Sequence, residues 1–508
     1  MKYKNPIIPG FYPDPSICRV GEDYYLVTST FHFFPGVPIF HSKDLINWKQ
    51  IGHCLTTKTQ LNLDKAKSSA GIFAPTIRYN NGTFYMITTN ETVGKNFYVY
   101  TDDIYGKWSD PVWLNKEGID PSFFFDDDGK VYFTYTIFDG IMQSEIDIAN
   151  GKLLSLPKSI WKGTGGRYPE APHVYKINGM YYLMLAEGGT EYGHMVTIAR
   201  SSSPWGPFKS CPSNPVLTHR DRGTHPIQAL GHADLVQAQN GSWWAVFLGI
   251  RPRDYPPVHH LGREVFLAPV KWSDDNWPVF YNNGTIELEM ETDNISSKIS
   301  HNNKNESFFD DFNKSELDLS WIFLRNPDKK SWSLDNRPGW LCLTGLEINL
   351  NAVDSPAFVG FRQKHFDFEA KTLLEFNPLE IGNEAGLTVY MNEEHHYEIG
   401  IINIDNSAYL FVRKNVGDLS AIVVKEKFNG EKIILRISGD INNYYFAYSK
   451  NDNKLKTVAS GRTKYLSTEV AGGFTGVILG IYAAGSGNKS ISQAFFDWFE
   501  YTPKNKSI

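Results

Sequence analysis

The chain has 508 residues, too many for one ordinary core, and its 50 basic against 56 acidic residues leave a formal charge of −6. That balance holds no basic block, which excludes a surface built on phosphate contacts with nucleic acid, and no run approaches the roughly eighteen apolar residues of a membrane-spanning helix. Aromatic residues make up 14% of the chain, a composition suited to β-rich packing and to the apolar faces of sugar rings.

In chain order, the opening MKYKNPIIPG lacks the apolar run of a secretory signal, and Cys18, Cys54, Cys211 and Cys342 lie far apart without CxxC spacing. Reduced thiols and a cytoplasmic location are the expectation. From residue 11 the sequence reads FYPDPSICRV, with Asp14 clamped between two prolines ahead of a strand-like run. A tight turn and an aromatic, β-branched run follow at once (GEDYYLVTS), and the same pairing recurs as NNGTFYMITT, DDDGKVYFTYT, INGMYYLMLAEG and QNGSWWAVFLG. Asn-Gly and Asp-Gly between such runs mark β-hairpins. Each turn is preceded by a similar short segment: PDPSICRV, APTIRY, DPSFFF, EAPHVYKI and HADLVQAQ. Further strand-like runs and Trp-bearing loops complete each unit with three or four strands. Five such units predict a five-bladed β-propeller over residues 1–290, with a large β-sandwich as the less regular alternative.

Residues 291–306, ETDNISSKISHNNKNE, lose apolar character and are expected to be a linker. From 307 to 508, short alternating runs such as LTVYMN, YEIGIINI, AYLFVRK and KIILRISG predict a C-terminal β-sandwich, so the chain is all-β.

The inner strand of a propeller blade lines the central channel, so the residues that open the units converge at one end of the axis. The five openings present Asp14, Ala74, Asp120, Glu170 and His232 at nearly equivalent places. Singly, each has a plain reading: Asp14 and Asp120 as turn caps, His232 as a satisfied core histidine. Glu170, among prolines and apolar residues in RYPEAPHVY, is costly to bury without a purpose. Equivalent placement favours a shared site, because independent turn caps have no reason to occupy one point of a repeat. Carboxylates gathered in a small cavity suit cleavage of a glycosidic bond, which needs one protonated acid and one ionised partner.

These stretches, with NPIIPGFYPDPSICRVGEDYYLVTSTFHFFPGVPIFHSKDLINW, GIFAPTIRY and LGREVFLAPV, resemble glycoside hydrolase family 43, in particular its two-domain β-xylosidases. The resemblance spans nearly the whole chain. It implies a five-bladed propeller followed by a concanavalin-like β-sandwich, and hydrolysis with inversion. On matching positions Asp14 would be the general base, Glu170 the general acid and Asp120 the residue that raises and orients the acid, with base and acid about 6.5 to 9.5 Å apart. The resemblance also places Phe31, Phe73, Thr190, His232 and Arg263 around the terminal sugar. Phe73 stands where that branch commonly has tryptophan. Arg263 would pin sugar hydroxyls or the base carboxylate, with a surface ion pair as its plainer reading, and Phe474 would be an aromatic that the sandwich inserts to close the pocket.

The expected activity is removal of non-reducing terminal β-D-xylosyl residues from short xylo-oligosaccharides. An α-L-arabinofuranosidase is the alternative, and a non-catalytic carbohydrate-binding propeller the rival of another class. Phe73 and the RPRDYPPVHH loop are where the choice of sugar is expected to fall. No cofactor is required for that chemistry; the family carries in part a structural cation, such as Ca²⁺, beside the channel histidine. His259-His260 and His395-His396 read as loop or surface residues, GSGNKS as a turn, and DFNKSELD as a weak Ca²⁺ candidate. Expected partners are a small oligosaccharide and a second copy of the chain in a homo-oligomer, with no nucleic acid or membrane.

Overall fold

The computed structural model describes residues 2–138, 140–292, 307–450, 454–485, 487 and 492–504. Nearly all regular structure is strand, as the aromatic and β-branched runs predict, and the helices are single turns. Five antiparallel sheets occupy the first part of the chain. Blade 1 runs through Ser16–Val20, Asp23–Val27, Gly36–Ser42 and Lys49–Leu55; blade 2 starts at Thr76–Asn80, blade 3 at Ile119–Phe125, blade 4 at Glu170–Ile177 and blade 5 at Gln228–Gln237. Each has four or five strands. The five inner strands neighbour one another in a closed ring.

The repeated turns are the reason the blades form. In blades 2 and 4, Asn81-Gly82 and Asn178-Gly179 take φ values of 48° and 88°, and 51° and 78°. That left-handed pair is the hairpin geometry that Asn-Gly adopts at little cost and that matches the strand twist. Apolar residues then fill the wedges between blades; Ile87, Tyr98, Phe123 and Phe133, for example, pack blade 2 on blade 3. The ring is fastened where Lys2–Lys4 pairs antiparallel with Glu289–Glu291, close to the end of the propeller sequence. Glu291 therefore belongs to a strand rather than to a linker, and of the expected linker residues only 291 and 292 are among those described.

Two eight-stranded sheets make up the second part, facing each other across a core that includes Leu387, Ile399, Val412, Leu435, Phe446 and Phe499. One of these sheets ends in a strand that the sandwich does not own. Phe33–Phe34, from blade 1's long loop, pairs with Trp321–Leu324 in the register Phe34↔Phe323 and Phe33↔Leu324. Around that junction Phe11, Phe31 and Phe33 pack with Ile322, Phe358, Tyr390 and Tyr482 in one apolar cluster. Arg325, fully buried beside it, donates to the carbonyls of Ala66 and Asp354, each at 2.6 Å, and to Glu393.

Of the histidine pairs read as loop or surface residues, His259-His260 lies in a loop, whereas His395 and His396 lie in the strand His395–Ile404. His260, His395 and His396 are buried, and only His259 lies at an edge, against Glu469. The burial of His396 was missed because it depends on partners without a local signal, such as Tyr390 of the paired strand, which stacks on it at 5.6 Å between ring centroids. Gly485 and Gly487 are the only residues of GSGNKS among those described. All four cysteines are free and buried.

Candidate active site

Four of the five blade openings carry their polar residue on a distorted backbone. Asp14, Asp120 and His232 have φ of 56°, 51° and 50°, and Ala171, next to Glu170, has 54°. The strand registers slip at these points, between Ile119 and Ser122, between Glu170 and His173, and on both sides of Gly231. A bulge turns a side chain that would face the neighbouring blade toward the end of the channel. Left-handed backbone costs a non-glycine residue about 1 to 2 kcal/mol, so the ring stores strain at its opening. Blade 2 contributes no acid; its opening carries Ala74 and, one residue earlier, Phe73.

Asp14 is the most firmly held of the three carboxylates. Arg263 Nη1 donates to its Oδ1 at 2.5 Å, the Ser29 hydroxyl donates to its Oδ2, and His232 Nδ1 stands 3.9 Å from Oδ1. Burial pulls the His232 pKa below its ordinary value, so the ring stands neutral and its contact with Asp14 is no full ion pair. The structure thus gives Arg263 the carboxylate arm of its expected role rather than a surface ion pair.

Glu170 is half-buried, and its pKa rises to about 7; burial is the main cause and the charge of Asp14 the second, opposed by Arg263 and by a hydrogen bond from Thr190. Asp120 is buried, and burial followed by repulsion from Glu170 and Asp14 pushes its pKa well up, against a hydrogen bond from the Ala171 N–H. Burial first, and the crowding of negative charge in the cluster second, favour a proton on these two groups. Chemically, the cluster offers an ionic, immobilised carboxylate on one side and a proton donor on the other.

Aromatic rings wall this cluster. Phe31 lies 5.5 Å from Phe73, centroid to centroid, and stacks on Phe474 at 6.1 Å and 21°. Arg263 lies under both Phe31 and Phe474, 5.5 Å and 5.8 Å from their centroids. Phe31 is itself left-handed, at φ 50°, and held by paired bonds with Ile72, 2.8 Å and 3.0 Å. Phe474 comes from the sandwich, is 45% exposed and accepts from Arg263 at its carbonyl at 3.5 Å. All nine residues singled out in the sequence thus converge. Ser29 was missed, since nothing in YYLVTST marks one hydroxyl among several. A deeper network was missed as well: Asp234 binds Arg78 at 2.7 Å, Ser16 at 2.6 Å and Tyr175 at 2.6 Å, tying blades 1, 2, 4 and 5 beneath the carboxylates.

Among the described residues no three His, Cys, Asp or Glu side chains group as ligands of a metal ion. The two carboxylates that act on His232, Asp14 and Asp234, are each engaged by an arginine, so the residues there do not form the free, oxygen-rich set that Ca²⁺ takes. No step is assigned to a cation.

Comparison with known proteins gives the same picture. The family model described as "Glycosyl hydrolases family 43" matches residues 3–278, and "Beta xylosidase C-terminal Concanavalin A-like domain" matches residues 309–502. The chain is 44% identical to a non-reducing end alpha-L-arabinofuranosidase of Bacteroides ovatus, over 98% of this chain and 94% of that one. It is 38% identical to a xylosidase/arabinosidase of Butyrivibrio fibrisolvens, over 97% and 98%. The crystal structure of a xylan beta-1,4-xylosidase from Bacillus halodurans superposes with a TM-score of 0.93 at 35% identity, covering 98% of this chain and all of that one.

Proposed function

The chain belongs to glycosyl hydrolase family 43, and on that premise we propose that it is an inverting exo-glycosidase that releases one non-reducing terminal pentosyl residue from a short oligosaccharide. The observation that carries the reading is the union of Asp14, Asp120 and Glu170 from three blades in one cluster, beside an arginine flanked by Phe31 and Phe474, with Glu170 raised to about 7. In the proposed step, Asp14 takes a proton from a water molecule as that water attacks the anomeric carbon. Glu170 gives its proton to the departing glycosidic oxygen on the opposite face, and Asp120 shares and orients that proton. Arg263 and Ser29 each occupy one lone-pair direction of Asp14, one on either oxygen, which leaves the others for the water. Phe31, Phe73 and Phe474 give the sugar an apolar face to rest on, and Phe474, arriving from the second domain, bounds the pocket so that a chain end fits and a mid-chain residue does not.

The first choice of sugar is β-D-xylose. A second reading, α-L-arabinofuranose, is favoured by Phe73, a smaller platform than the tryptophan expected there, and by the 44% identical relative named for that activity. Rates of nitrophenol release from 4-nitrophenyl β-D-xylopyranoside and 4-nitrophenyl α-L-arabinofuranoside, measured side by side for wild type and Asp14→Ala, test both. The expected result is faster release from the xyloside and loss of about 10² to 10⁴-fold in the variant on either compound. Faster release from the arabinoside moves the second reading to first, and a fully active Asp14→Ala protein sinks the site.

A further inference from the structure

The sandwich reaches the pocket through residues 468–477, and a side chain with no part in the proposed reaction anchors them. Glu469 sits on the single-turn helix Thr468–Ala471. Its Oε1 lies 2.7 Å from His259 Nδ1 and accepts from the Tyr192 hydroxyl at 3.2 Å, while Oε2 accepts from the His259 N–H at 2.8 Å. His259 belongs to the loop of blade 5 between Trp243–Ile250 and Glu264–Trp272, and Tyr192 to the equivalent loop of blade 4. The backbone adds two more ties: Thr468 N–H to the His259 carbonyl at 3.0 Å and Val477 N–H to the His260 carbonyl at 2.9 Å.

From this clamp the chain passes through Gly472 and Gly473, at φ 71° and 81°, to Phe474. A Cβ on Gly473 would meet the Ser69 hydroxyl oxygen at 2.4 Å, the same oxygen that receives the Phe474 N–H at 2.8 Å. Two glycines in left-handed backbone give no stiffness of their own. The position of Phe474 is therefore set from its ends, by Ser69 ahead and by the clamp behind. A cavity of about 240 Å³, lined by Thr190, Tyr192, His259, Arg263, Glu469 and Phe474 among others, joins clamp and aromatic wall.

We infer that Glu469 is a positioning residue: by strapping its helix to the loops of blades 4 and 5 it sets Phe474 against Phe31 and Arg263, and so sets how tightly the terminal sugar is enclosed. This rests on the reading of Phe474 as a wall of the pocket. Its action falls on substrate capture rather than on proton transfer, since Glu469 touches neither Asp14 nor Glu170.

A double-mutant cycle decides it, with kcat and KM measured on the better of the two aryl glycosides for wild type, Glu469→Ala, Phe474→Ala and the double variant, and with Glu469→Gln as the conservative control. The expected result is a KM raised about fivefold to tenfold by Glu469→Ala with kcat within about twofold, and no further rise when the same change is made on Phe474→Ala, as for residues that act as one unit. Glu469→Gln, which keeps an oxygen for the His259 N–H and turns its NH2 toward His259 Nδ1 and the Tyr192 oxygen, both able to accept, is expected to restore KM to near the wild-type value. The same fold-rise in both backgrounds, or an unchanged KM in Glu469→Ala where Phe474→Ala raises it, overturns the inference and leaves the active-site reading intact. An active wild type whose KM is indifferent to Phe474→Ala removes the pocket-wall reading itself, and the inference with it.

Discussion

Glu170 and Arg263 carry the chemistry that single residues can be asked about. If Glu170 delivers the proton, the free enzyme must hold it protonated, so kcat/KM is expected to fall as pH rises through about 7. Glu170→Ala should abolish that alkaline limb. It should also cost about 10² to 10⁴-fold on a xylo-oligosaccharide, whose leaving group needs the proton, and distinctly less on a nitrophenyl glycoside, whose leaving group does not. A pH–rate profile on the two substrates checks both statements. Arg263→Lys keeps a cation near Asp14 but loses the planar fork that reaches Asp14 and the Phe474 carbonyl together. A loss of about 10 to 100-fold in kcat/KM with an unchanged melting temperature is expected. At this scale the acids were legible because the repeat supplied an alignment within one sequence. Ser29 and Asp234 were not, since a hydroxyl or a carboxylate that turns inward looks like any other until its partner is placed.

Hairpins and bulges decide what each blade offers to the axis. The turn residues were readable, because Asn178-Gly179 can hardly be anything but a left-handed pair between two aromatic strands. Gly179→Ala has open space around its new Cβ, so its only penalty is the backbone at φ 78°. Destabilisation of about 1 kcal/mol is expected, with activity unchanged, and urea denaturation followed by fluorescence measures it. The bulges were not readable. Nothing in DPSFFF or EAPHVYKI distinguishes a regular strand start from one whose register slips, and while Asp tolerates the left-handed backbone that Asp120 takes, nothing in the residue type marks it at Ala171. That the left-handed residues of the inner strands gather at or just before the openings, with Ala229 at φ 54° three residues ahead of His232, fits a frame built to aim side chains rather than to minimise its own energy.

Taken whole, the molecule is a closed ring of blades joined to a sandwich by a shared strand pairing, an apolar cluster and buried hydrogen bonds. Arg325 is the sharpest test of that union: Arg325→Ala removes three donated hydrogen bonds, one of them across the junction to the Ala66 carbonyl, and leaves Glu393 without its charge partner. Destabilisation of about 3 to 5 kcal/mol is expected by chemical denaturation, because the cost is that of a buried charge deprived of its mate. Two separate all-β parts could be read from the change of pattern after residue 290, but their joint could not, since Phe34 meets Phe323 across the span of four further blades. That pairing has an outcome for descent. Phe33–Phe34 completes a sheet of the sandwich, and Phe31, two residues before it, stacks on Phe474, so the cavity is inherited from both halves of the gene at once. A chimera that keeps these blades and borrows a relative's sandwich would carry a foreign strand partner and a foreign Phe474 loop into the same few ångströms, and its sugar preference would be that of neither parent.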